Sequence, residues 1–76
     1  MSALTDQIKA DAERAARDDV TAEGKEVAEV LLVGDPALTG GRLHTNVRLT
    51  VKDEVQERAY RYECALDGTA GRLVRT

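Results

Sequence analysis

Between residues 43 and 66, hydrophobic and polar side chains alternate. Leu43, Thr45, Val47, Leu49 and Val51 fall on one side of a first run, and His44, Asn46, Arg48, Thr50 and Lys52 on the other. In a second run Tyr60, Tyr62, Cys64 and Leu66 oppose Glu57, Ala59, Arg61, Glu63 and Ala65. A side-chain period of two over that length predicts strands with one buried face and one wet face. They are expected over about 43–52 and 57–66. A turn at Asp53-Glu54-Val55-Gln56 would set Leu49 against Tyr60, Val47 against Tyr62, Thr45 against Cys64 and Leu43 against Leu66. A slip of one residue would turn both tyrosines into water, so the parity of the pairing is strongly specified.

The pattern changes upstream. Residues 3 to about 19 are rich in Ala, Asp, Glu, Arg and Lys and contain neither Gly nor Pro, a composition that favours helix. Ser2 is the expected N-cap. Leu4, Ile8, Ala12 and Ala15 form a stripe at helical spacing that narrows to alanine, so the second half of the helix should approach a neighbouring backbone closely. Asp18-Asp19 opposes the helix dipole at its negative end and is expected to stop the helix. Residues 25–33 fit either a helix or a strand. Three valines and a length near nine residues favour a strand. Val27, Leu31 and Val33 would then face one way, and Ala28, Val30 and Leu32 the other. Gly34-Asp35-Pro36 breaks the chain, and Gly40-Gly41 closes a loop that lacks the Gly-Lys-Ser/Thr ending of a phosphate-binding turn. Asp67-Gly68 marks a further turn before a short strand at 72–75. The expected architecture is α+β, in one domain spanning 1–76. An N-terminal helix packs on one face of a three- to four-stranded antiparallel meander.

Composition bears on stability and on partners. The chain has 76 residues, no Trp, no Phe and only two Tyr. A core this small supplies about 3–5 kcal/mol, and small domains often lean on disulfides, metals or a second subunit. Cys64 is the only cysteine, so neither a disulfide nor a cysteine-built zinc site is available within the chain. Assembly with another protein chain, first of all its own copy as a homodimer or higher oligomer, is the support that remains. A net charge of −3 gives no basic field for nucleic acid, and no apolar run reaches the length of a membrane span. The lone thiol fits a cytoplasmic protein.

The expected register also sorts the candidate chemistry. On the wet face Lys52 meets Glu57, Asn46 meets Glu63, and Arg48 meets Arg61. Like charges directly opposite are unfavourable. They are relieved by Glu63 on the diagonal, or they receive an anion, for which arginine forks are suited. Arg48, Arg61, His44, Asn46 and Glu63 therefore form the candidate anion or partner face. His44 near Glu63 has the makings of a general base, but no nucleophile accompanies it and one histidine does not hold zinc. No catalytic residue, cofactor or metal is assigned. Cys64 is expected as a small buried hydrophobe, and Tyr60 and Tyr62 as core rings. A single helix covers one face of a sheet, which leaves Val30 and Leu32 as the candidate assembly surface. The expected function is a small non-enzymatic interaction or self-assembling module acting through its sheet. The alternative is a small-ligand or anion-binding protein using the Arg48/Arg61 face.

Overall fold

The structure is a computed structural model that describes residues 3–75, so the expected cap at Ser2 lies outside the described residues. Helix α1 spans Ala3–Ala22 and is followed by β1 (Val27–Val33), β2 (Ala37–Thr39), β3 (Arg42–Val51), β4 (Arg58–Cys64) and β5 (Arg72–Arg75). These strands form one five-stranded antiparallel sheet in the order β1-β3-β4-β5, with β2 also paired to β3. The α+β class and the helix against one sheet face are as the alternation predicts.

α1 runs past Asp18-Asp19. Ile8, Ala12, Ala16 and Val20 are buried at four-residue spacing, so the apolar stripe continues past the acidic pair to Val20. Burial of a valine side chain contributes about 1.5–3 kcal/mol, more than an exposed charge loses against the dipole. The sheet also supplies the missing counter-charge: Asp19 accepts hydrogen bonds from the Tyr60 hydroxyl at 2.9 Å and from Arg75 at 2.8 Å. The helix stops at Gly24, whose φ of 76° is the left-handed value that glycine tolerates. Its N–H bonds the Thr21 carbonyl and the Lys25 N–H bonds that of Val20, the two bonds of a Schellman cap. Ala12 and Ala16, both fully buried, bring the helix axis close to the sheet.

The β3–β4 register keeps the predicted parity but slides by two residues. Val47 opposes Tyr60, Thr45 opposes Tyr62 and Leu43 opposes Cys64, while Leu49 opposes Arg58. The connection is residues 52–57 rather than 53–56. Asp53 adopts a φ of 72°, and the Lys52 N–H continues the pairing to Glu26, at 2.8 Å. Tyr60, Tyr62 and Cys64 are buried as expected. Leu66 falls beyond β4 and is 56% exposed.

β1 departs most from a simple alternation. Its pairing with β3 shifts register between Val27 and Glu29 and again between Val30 and Leu32. Each β-bulge sets two residues against one and resets which face follows. Val27, Val30 and Val33 therefore all pack on the core, at a spacing of three. Val30 belongs to the helix side, contrary to the face expected for it, while Leu31 and Leu32 remain 45% and 51% exposed.

β2 is a strand where a loop was expected. Ala37, Leu38 and Thr39 pair with His44, Leu43 and Arg42, and Gly40-Gly41 forms the two-residue turn between them. Both glycines have positive φ, the requirement of a type I′ hairpin. β1 and β2 thus occupy successive stretches of one edge of β3, separated by Gly34-Asp35-Pro36. Gly34 is clasped to β3 across that gap. Its N–H donates to the Asn46 carbonyl at 3.0 Å, and its carbonyl accepts from the buried Thr45 hydroxyl at 3.2 Å.

Candidate functional site

The sheet face away from the helix carries His44, Asn46 and Arg48 on β3 and Ala59, Arg61 and Glu63 on β4. In the observed register His44 opposes Glu63, Asn46 opposes Arg61, and Arg48 opposes Ala59. Arg48 and Arg61 are therefore diagonal neighbours. The directly opposed like-charge pair does not form, because the two-residue slide exchanges each partner. Arg48 is instead ion-paired with Glu57.

His44 is held between two oxygens. Its Nε2 lies 3.2 Å from the Thr39 carbonyl and donates to it, which ties β2 to β3. Its Nδ1 lies 3.2 Å from Glu63 Oε1, without the angle of a hydrogen bond. Glu63 accepts from Arg72 Nε at 3.3 Å and is largely shielded, with a side chain 13% exposed. His44 and Glu63 are thus neighbours, and both are committed to the cross-strand ladder.

Beside them is a shallow cavity of about 240 Å³ lined by Asp35, Ala37, Thr39, His44, Asn46 and Arg61. Asp35, at its rim, is neutralised by Lys9, whose Nζ is 3.0 Å away. The cavity unites three of the candidate residues, His44, Asn46 and Arg61, with Glu63 adjoining. It excludes Arg48. Asp35, Ala37 and Thr39 are not among the expected site residues, because the alternation that marks β3 and β4 does not extend to the Gly34-Asp35-Pro36 break and the three-residue β2. The signal that could have found them is the Gly-Gly pair between Leu38 and Leu43, which fits a two-residue hairpin.

Arg61 is distinguished by its isolation. Of the eleven lysines and arginines, nine stand against a carboxylate: Lys9, Arg14, Arg17, Lys25, Arg48, Lys52, Arg58, Arg72 and Arg75. Among the described residues Arg42 and Arg61 have no such partner. Arg42 is half-buried at the end of β3, with its Nε enclosed and without a hydrogen bond. Arg61 is exposed and lines the cavity.

A second charged region lies at the C-terminal end of α1. Arg58 donates to Glu54 at 2.9 and 2.6 Å, to Glu23 at 2.7 and 3.2 Å, and to the Tyr60 hydroxyl at 3.1 Å. Arg75 joins Glu23 to Asp19. Hydrogen bonds from Arg58 hold the Glu23 and Glu54 carboxyls down at about 2, against an ordinary value of 4.5. Those same carboxylates hold the Arg58 guanidinium above its usual range. Burial pushes the Tyr60 and Tyr62 hydroxyls and the Cys64 thiol upward, so Cys64 is a poor thiolate at neutral pH. A cavity of about 390 Å³ adjoins this region and is lined by Gly24, Lys25, Glu26, Lys52, Asp53 and Glu54. Its lysines pair with its own Glu54 and Glu26, so it offers no uncommitted cation.

Among the described residues no group of three or more His, Cys, Asp or Glu is placed to hold a metal ion. Among the same residues no helix is long and apolar enough to cross a membrane. The open face presents the unpaired Arg61, the side chains of Asn46 and Thr39, and the exposed Leu31 and Leu32 at its edge. No family model, curated protein or solved structure matches the chain.

Proposed function

We propose that the protein is a small non-enzymatic interaction module that associates through the sheet face left open by its helix, with a second copy of its own chain as the first partner. The observation that carries this reading is the exposure of Leu32, paired with Arg48 on that face, together with the adjoining Leu31. A sheet with only one face covered, in a chain with a thin core, gains stability when another surface covers the other face. The bulges in β1 disfavour edge-to-edge strand pairing, so the face is the better contact. The net charge of −3 disfavours nucleic acid as a partner, and the lone buried thiol suits a reducing, cytoplasmic setting.

Mass in solution across a dilution series tests the reading, in wild type and in Leu32→Asp. A dimer or larger species that dissociates on dilution and is lost in Leu32→Asp supports it. A monomer at tens of micromolar in both proteins overturns it. Val30 is unsuitable for this test because it packs on the core, where a carboxylate would unfold the protein rather than report on association.

A second reading, anion recognition by the same face, is favoured by one specific observation: Arg61 lines a cavity and has no carboxylate partner of its own.

A further inference from the structure

We infer that the cavity beside β2 is a receptor for a carboxylate monoanion, with Arg61 as its charged fork. This rests on the reading of the open face as an anion site, and it names the ligand's chemistry and the residues that select it.

An arginine without a counter-ion, in a chain whose other exposed cations are nearly all paired, is positioned to accept one from outside. A guanidinium presents N–H donors in a planar fork that matches the two oxygens of a carboxylate. Asn46 stands directly opposite Arg61 in the strand register and offers an amide donor, and Thr39 lines the same recess. The surrounding charges set the valence. Asp35 is neutralised by Lys9, and Glu63 by Arg72, which leaves the single positive charge of Arg61 in excess. A single negative charge balances it. A doubly charged phosphate would face the Asp35 and Glu63 carboxylates with its surplus charge unmatched. His44 shapes the recess and does not serve as a ligand, because its Nε2 is engaged by the Thr39 carbonyl. That bond fixes β2, and β2 supplies Thr39 and Ala37 to the lining.

The carboxylate could belong to a small acid, to the end of a polypeptide chain or to an acidic side chain. The test uses one probe for each: acetate, N-acetylglycine and N-acetylaspartate amide, with phosphate as the contrast. Each is titrated at neutral pH and constant ionic strength, and binding is read from backbone amide shifts of the full chain by NMR. Saturable shifts at Thr39, Asn46 and Arg61 with one or more carboxylates are expected, with the tightest probe naming the source. Binding should vanish in Arg61→Gln. It should weaken roughly tenfold or more in Arg61→Lys, which replaces a bidentate fork with a point charge. Asn46→Ala should weaken it while leaving the fold unchanged, and Arg48→Gln should leave it intact. Saturation by phosphate but by no carboxylate overturns the carboxylate assignment while the broader anion reading stands. Silence toward every anion overturns both. Loss of binding in Arg48→Gln but not in Arg61→Gln also overturns the assignment, since it moves the site off the cavity.

Discussion

The two ends of this small sheet treat charge in opposite ways. Where α1 terminates, Arg58 is gripped by Glu54, Glu23 and the Tyr60 hydroxyl, and Arg75 bridges Asp19 to Glu23. The groups come from the helix, its cap, the β3–β4 turn and two strands, so the network fastens parts of the chain that are far apart in sequence. Across the sheet, Arg61 sits in a recess with no acidic partner, next to a histidine and a glutamate already engaged elsewhere. The first arrangement spends charge on holding the fold together. The second leaves charge available to something outside it. Local density of charge is therefore a poor guide to function here, since the richest cluster is also the most self-satisfied.

The largest effect should come from the centre of the first region. Tyr60 is 2% exposed, and truncating a buried aromatic costs about 3–5 kcal/mol. A domain of this size has about that much stability in total, so Tyr60→Ala should leave little folded protein by circular dichroism. A cooperative thermal transition near that of wild type would show that the network, rather than the ring, holds the helix in place.

Acid should act next. Glu23 and Glu54 bind protons less readily in the folded chain than in the unfolded one, with folded values of about 2 against an ordinary 4.5. Their contribution is complete above the unfolded value and fades as pH falls toward the folded one. The melting temperature should drop between about pH 4.5 and pH 2. The drop should be shallower in Glu23→Gln and smaller still at high salt, because the groups are open to solvent. A melting temperature that stays level through that interval would remove the network from the stability of the protein.

The smallest effect sharpens the contrast. Arg61→Gln should change stability by no more than about 0.5 kcal/mol, as is usual for a surface position without special contacts. Arg58→Gln, the same chemical change in the gripped cluster, should lower the melting temperature clearly, because it strands two carboxylates. Equal losses in both variants would erase the distinction between the two regions.

How much of this was legible in the sequence depended on how many neighbours each segment has. The faces of β3 and β4 were plain, since both strands lie inside the sheet with the helix on one side, and Val47, Tyr60 and Tyr62 point where alternation puts them. Their register was not. A period of two forbids a slip of one residue but permits a slip of two, and in the register adopted Arg58 grips Glu54 within the turn. That slip is why Arg48 and Arg61 do not oppose each other. β1 was obscured by its bulges, which convert an apparent run of Val30-Leu31-Leu32-Val33 into core contacts at every third residue. Gly24 and Gly40-Gly41 carry the signals of a helix cap and a hairpin turn, and these compete in the sequence with the stop signals of Asp18-Asp19 and Pro36. Ala37 and Thr39 belong to β2 and Asp35 to the break before it, so alternation places His44, Asn46 and Arg61 on one face without marking the recess they share.

The broken edge made by β1 and β2 has a consequence for how the chain behaves when crowded. Val30-Leu31-Leu32-Val33 is an apolar, uncharged segment of high strand propensity, the kind that seeds fibrous aggregation when it lies flat and unpaired. Here two bulges twist it, and Gly34-Asp35-Pro36 cuts the edge before it can lengthen. Removing Ala28 would erase the first of those irregularities and leave the second, between Val30 and Leu32, as the break within the apolar segment. Irregularities of this kind discourage the addition of further strands along such an edge.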